Sequence, residues 1–208
     1  MNTHTISIKS PATIANLVCG FDILGLALEE PYDLMTLENT DHPGLEIVHV
    51  DDHGLPTEPG QNVAGAALLA MMEELNEVPQ WKLTIDKRIK PGSGLGSSAA
   101  SAAGAVFAAN QLLGNPFSNE DLIRFAMCGE KVASGVKHAD NITPCLLGGV
   151  TLIRSIHPLD IISLSAPELF ITVVHPQIEV RTADARQILK KEVPLKQAIK
   201  QWGNIAGL

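Results

Sequence analysis

The residues most suited to chemistry form one run, Pro91-Gly92-Ser93-Gly94-Leu95-Gly96-Ser97-Ser98-Ala99-Ala100. It joins an expected strand to an expected helix. Glycines at alternate positions let a backbone turn its N–H groups toward an anion. The helix that follows adds its unpaired N–H groups and the positive end of its dipole. Ser97 and Ser98 place hydroxyls at the same point, suited to a phosphate oxygen or Mg²⁺. Two familiar phosphate loops are excluded: a Walker A loop ends in Gly-Lys-Ser/Thr, and a Rossmann fingerprint spaces its glycines GxGxxG. Here Gly96 is followed by two serines, and the spacing is GxGxG. The plain alternative is a flexible turn before a tightly packed helix.

Other residues could meet a ligand at such a loop. Leu122, Ala126 and Glu130 are spaced by four, so Glu130 continues an apolar helical stripe. An inward carboxylate is costly unless paired or bound to metal, and Mg²⁺ accepts a few carboxylate or hydroxyl ligands plus phosphate oxygens. Otherwise Glu130 bends out to solvent or pairs with Lys131 or Lys137. Arg186 lies near the start of a helix capped by Thr182, where a cation meets the unfavourable dipole end and wants an anion. A bound carboxylate or a salt bridge to Asp184 or Glu179 would serve. Asn16 offers an amide that donates and accepts at once; it could equally cap a loop. Asp22 suits an ammonium group, or an Asx turn after Gly20. The seven histidines form no HExxH motif or close pair.

These residues need elements to hold them. The chain has 208 residues, one large domain or two small ones at roughly 100–200 residues each. Hydrophobic residues make up 45% and charged residues 18%, enough to build a core. The 15 Lys plus Arg against 23 Asp plus Glu give a net charge of -8, which argues against a general nucleic-acid binder. Cys19, Cys128 and Cys145 make no disulfide framework and no CxxC site, and fit a reducing cytosol. No apolar run approaches the roughly 18 residues of a membrane helix. The Ala-rich stretch 99–109 comes nearest, interrupted by Ser101 and Gly104.

Hydrophobic spacing predicts strands over Thr5–Lys9 (ended by Pro11), Phe21–Leu28, Asp33–Leu37, Leu45–Val50 and Trp81–Ile89, with a turn at Glu30-Pro31. It predicts helices from Asn62 to Leu75 and from Ser97 to about Leu113, stopped by Gly114-Asn115-Pro116, and another capped by Ser118. Cys128 reads as a buried apolar residue of that last helix. Beyond a polar loop at 135–141, strands are expected over Leu146–Ile153 and Leu169–Val174. Helices are expected from Thr182 to Lys190 and from near Pro194. With few βα repeats the class is α+β, not a doubly wound sheet.

Four blocks carry a family resemblance. Pro91–Ala100 resembles the phosphate-binding motif of the GHMP kinase superfamily (galactokinase, homoserine kinase, mevalonate kinase, phosphomevalonate kinase). Ser10-Pro11-Ala12-Thr13-Ile14-Ala15-Asn16-Leu17-Val18-Cys19-Gly20-Phe21-Asp22-Ile23-Leu24-Gly25 narrows this to the homoserine kinases. Ser134–Asn141 with Leu147-Gly148-Gly149, and Val180–Arg186, match the same family in order.

The resemblance implies a GHMP kinase fold. Its N-terminal domain, 1–160, would resemble the second domain of ribosomal protein S5, and 161–208 would open an incomplete α/β-sandwich C-terminal domain. It implies a cytoplasmic enzyme with no nucleic-acid or membrane partner, from a family whose members often pair as homodimers. The activity implied is ATP-dependent phosphorylation of the L-homoserine hydroxyl. Asn16, Asp22, His138, Asp140 and Asn141 would line the substrate pocket, completed by Thr182 and Arg186. Asn62, Pro91, Gly92, Ser93, Gly94, Leu95, Gly96, Ser97 and Ser98 would bind ATP, and Ser98 with Glu130 would hold Mg²⁺. Some superfamily members use an aspartate base; the matching residue here is Asn141, so a mechanism without a dedicated base is expected. Rival readings are a GHMP kinase for another small alcohol and a nucleotide-binding module without activity. Against the family the chain looks short, so the expectation is a truncation within the C-terminal domain.

Overall fold

A computed structural model describes residues 5–135, 137–174 and 188–208. The elements are β1 (Thr5–Ala15), β2 (Leu24–Asn39), β3 (Gly44–His49), α1 (Val63–Leu75), β4 (Gln80–Asp86), α2 (Ser97–Leu112), α3 (Asn119–Ser134), α4 (Ile142–Leu147), β5 (Val150–Ile156), β6 (Leu159–Leu164) and α5 (Leu195–Ala206). One sheet runs β3-β4-β2-β5-β6, with β1 also paired to β2. Among the described residues only β3 and β4 are parallel; the other pairings are antiparallel. This is the expected α+β class.

The core lies between the sheet and α1, α2 and α3. Met35 and Leu37 of β2, and Leu83 and Ile85 of β4, are fully buried against Leu68, Met71, Val106 and Phe125. The Ala-rich helix α2 is buried almost all round, which small side chains permit. A Cβ on Gly104 would sit 2.5 Å from Met35 Sδ and 2.8 Å from Ser10 Cβ. Among the described residues no helix is long and apolar enough to cross a membrane.

The helices α1, α2 and α3 lie where expected, but of the stripe Ala66, Leu69, Ala70 and Met72 expected to face inward on α1 only Met72 is buried. Leu69 is exposed, and the buried face carries Ala64, Ala67, Leu68, Met71 and Met72. Asn62 is the N-cap of α1, accepting from the N–H groups of Ala64 and Gly65. Ser118 and Asp121 form a capping box on α3. Trp81, Leu83 and Ile85 share the buried face of β4. Cys128 is only half-buried.

Four further expectations are corrected. Pro11 does not end β1. The strand continues to Ala15 because the register shifts between Pro11 and Thr13, and a residue without an N–H is tolerated at such an irregularity on an edge strand. The two strands expected around Glu30-Pro31 are one, β2: Pro11 pairs with Tyr32 and Thr13 with Ala27, so 28–31 bulge from a continuous strand. The run expected as a strand over Leu146–Ile153 divides into the end of α4 and the start of β5, turned by Gly148 and Gly149 at positive φ. Short apolar runs do not distinguish helix from strand by pattern alone. Leu169–Val174 forms no strand, and Phe170 is 94% exposed; the hairpin partner of β5 is instead β6. The helix expected from Thr182 lies largely outside the described residues.

Candidate active site

Loop 91–96 leaves the sheet beyond β4 and enters α2 through Gly96. Gly92, Gly94 and Gly96 all have positive φ, so the alternating glycines serve left-handed backbone. Gly96 is the N-cap of α2 and supplies no side-chain hydrogen bond. The first N–H groups of α2 are therefore left without a capping side chain, unlike those of α1 and α3. They face a cleft of about 450 Å³.

The cleft gathers most of the expected residues: Asn16, Asp22, Asn62, Pro91, Gly92, Gly94, Gly96, Ser97, Ser98, Glu130, His138, Asp140 and Asn141 all line it. Ser93 and Leu95 are absent from the lining. Ser93 Oγ accepts from Leu95 N–H (3.4 Å), and the Leu95 carbonyl accepts from Thr13 N–H (3.1 Å). Thr182 and Arg186 lie outside the described residues.

Ser98 Oγ donates to Glu130 Oε1 at 3.1 Å, joining α2's first turn to α3. Burial pushes the Glu130 carboxyl up to about 7, opposed by the Ser98 hydrogen bond and reinforced by the neighbouring Asp140. Burial also raises the Asp140 carboxyl, with Asp22 adding to the effect and His138 opposing it. Desolvation favours the neutral form of both carboxyls. Among the described residues no three of His, Cys, Asp and Glu gather into a metal cage. A carboxylate and a hydroxyl at the open start of a helix are nevertheless donor types that Mg²⁺ accepts, and it is commonly held by one or two protein carboxylates and substrate phosphates.

Several side chains are committed differently from expectation. Ser97 Oγ donates to Ile89 O (2.8 Å), so its hydroxyl turns inward. The Asn62 amide is saturated: Oδ1 caps α1, while Nδ2 contacts Pro56 O (2.6 Å) and His49 Nε2 (3.1 Å). Asn62 therefore shapes the cleft wall. Asn16 Oδ1 accepts from Asp22 N–H (2.9 Å), and both residues have positive φ, as in the loop-capping alternative. Asn141 Oδ1 accepts from Thr13 Oγ1 (2.8 Å), leaving its amide N–H groups as the donors toward the cleft. Asp22 Oδ1 stands 3.9 Å from His138 Nδ1.

The sequence reading missed Lys87, which also lines the cleft, and its buried partner Asp33. A signal for both existed. Asp33 is in phase with Met35 and Leu37, and Lys87 with Trp81, Leu83 and Ile85. Opposite charges on the apolar faces of two strands point to a buried pair. Cys145 is half-buried near this pair, and desolvation of its thiol pushes it up to about 12.

The chain is similar to known proteins in sequence and in fold. Residues 62–149 match the GHMP kinases N terminal domain. The chain is 44% identical over 212 residues to a homoserine kinase of Chloroherpeton thalassium, covering 96% of this chain and 66% of that protein. It is 42% identical over 217 residues to one from Chlorobium phaeobacteroides (strain BS1), covering 98% and 68%. The crystal structure of homoserine kinase from Cytophaga hutchinsonii superimposes with a TM-score of 0.89 at 42% identity, covering all of this chain and 67% of that one. The chain thus spans about two-thirds of the length of these relatives. An uncapped helix under a GxGxG loop, with Ser98 and Glu130 beside it and relatives this similar, leads to one conclusion: the chain belongs to the homoserine kinase family of the GHMP kinases.

Proposed function

We propose that this chain carries the nucleotide site and much of the substrate pocket of an ATP-dependent kinase that phosphorylates the side-chain hydroxyl of L-homoserine in the cytosol. The observation that carries the reading is the open N-terminus of α2 beside the Ser98–Glu130 contact. Residues 1–160 form the nucleotide-binding domain in this reading, and 161–208 begin the second domain. The N–H groups of Gly92, Gly94, Gly96, Ser97 and Ser98 cradle the phosphates. Ser98 and Glu130 would hold Mg²⁺, which when bound neutralises phosphate charge. Asn16, Asp22, His138, Asp140 and Asn141 bind and orient the amino acid, and Thr182 and Arg186 take its carboxylate.

The homoserine hydroxyl attacks the γ-phosphorus in line, forming the new O–P bond as the bond to the bridging oxygen of ADP breaks. Positioning and charge stabilisation supply most of the acceleration in such transfers. The hydroxyl proton passes to the transferred phosphoryl group or to solvent, since Asn141 offers donors only. With Mg·ATP, ADP release is expected to rise at least about tenfold on adding L-homoserine and to stay at background with mevalonate. Release driven by mevalonate instead would favour a kinase for another small alcohol. Binding of ATP with no release for any alcohol would favour a module without activity.

Asp140→Asn tests the base-free step. The expected result is a raised KM for homoserine with kcat within about tenfold of wild type. Turnover abolished with homoserine affinity intact would make Asp140 the base.

A further inference from the structure

The least expected feature of the cleft is a lysine buried beneath its phosphate loop. Lys87 is 5% exposed and Asp33 fully buried. The Lys87 ammonium donates to Asp33 Oδ2, to Ser97 O (2.5 Å) and to Ser101 Oγ (2.8 Å). Asp33 Oδ1 meanwhile accepts from the N–H groups of Arg88 (2.9 Å) and Ile89 (2.8 Å). Ser97 Oγ closes the ring on Ile89 O (2.8 Å). The strand end that enters the loop and the helix turn that leaves it are thus fastened to one post, Asp33 on β2.

Stability alone is a poor account of this arrangement. A cation is disfavoured at a helix N-terminus. A buried ion pair often contributes no more than apolar side chains of the same volume. Burial also drives the Lys87 ammonium toward its neutral form, against the pull of Asp33. What the pair does uniquely is geometric. Loop 90–96 has three glycines at positive φ and few internal hydrogen bonds, so it has much conformational freedom to lose. Fastening both ends removes part of that freedom before a ligand arrives.

We propose that Lys87 and Asp33 are the positioning pair of the phosphate loop, holding its N–H groups ready for the phosphates of a nucleoside di- or triphosphate. The proposal rests on the nucleotide reading above. Lys87 acts through the loop's two ends.

The test uses the full chain with Asp33→Asn and Lys87→Met together, which removes both charges and leaves neither partner stranded. ADP and adenosine are titrated calorimetrically, and amide hydrogen exchange is followed over residues 92–98. The expected result is a folded variant that binds ADP about tenfold or more weakly and adenosine within about twofold of wild type. Faster exchange across the loop accompanies it. Unchanged ADP affinity, or equal weakening for ADP and adenosine, overturns the proposal. If the double variant does not fold, Ser101→Ala carries the test: it removes one acceptor of Lys87 and should weaken ADP about threefold without touching adenosine. An unaltered ADP affinity in that variant also overturns the proposal. A wild-type chain that binds no nucleotide would sink the functional reading instead. Loop exchange then decides the pinning on its own: faster in the variant supports it, and equal rates overturn it.

Discussion

Gly96→Ala is expected to destabilise the protein by about 3 kcal/mol and to abolish measurable nucleotide binding. Gly96 has φ +64°, and a Cβ there would lie 2.0 Å from Thr13 Oγ1 and 2.8 Å from Asn141 Oδ1. Both atoms belong to the hydrogen bond that aims Asn141 at the cleft. The methyl group must displace that bond or move the first turn of α2, and either change disturbs the N–H groups proposed to meet phosphate. Gly92 and Gly94 provide the control. Their φ values are +75° and +78°, but a Cβ at either meets open space. Alanine there costs only the left-handed strain, about 1–2 kcal/mol. Urea denaturation of the three variants, with an ADP titration on each, checks the contrast. Equal losses at all three positions would mean that strain, not close approach, governs the loop.

Glu130→Gln should separate metal binding from folding. In the proposed site a neutral amide cannot balance Mg²⁺, so the tightening of ATP binding by Mg²⁺ should be largely lost, about tenfold or more. The metal-free protein should move the other way. Burial raises the Glu130 carboxyl from 4.5 to about 7, so between these values the folded chain holds more protons than the unfolded chain. Its contribution to stability therefore falls as pH rises through that window. Below pH 4.5 the carboxyl is neutral in both states and costs little. Above about 7 the full penalty applies, on the order of 2 kcal/mol after allowing for solvent at the cleft mouth. Glu130→Gln removes that penalty. The variant should melt higher than wild type at pH 8 and close to it at pH 4.5, both without Mg²⁺. A wild-type chain that is no less stable than the variant at pH 8 would place Glu130 in water, contrary to the structure.

Both predictions start from features legible in the residues. The alternating glycines, the apolar stripe through Leu122, Ala126 and Glu130, and the caps at Asn62 and Ser118 are local patterns. Period and cap chemistry act within a few residues, so a one-dimensional reading reaches them. The extent of β1 and β2 was less accessible. Pro11 and Pro31 look like stops, yet both lie where the register between those strands shifts, and only the pairing shows it. Likewise Leu169–Val174 has strand composition but no sheet partner among the described residues, while the less apolar Leu159–Leu164 gains one in β5.

Local patterns along the chain reach a glycine loop entering a helix of small residues and an inward carboxylate on the next helix. They cannot determine how each polar atom is used, because that depends on partners far along the chain. Thr13 takes the carbonyl oxygen of Asn141, so the cleft receives a donor rather than a base. Ile89 takes the Ser97 hydroxyl, leaving Ser98 to meet Glu130. Asp33, 54 residues before Lys87, turns a strand-end lysine into a buried post beneath the loop. Spacing along a helix or strand fixes which face a side chain occupies. Only the folded sheet and its packed helices decide what stands opposite, and hydrogen bonds within about 3 Å depend on that.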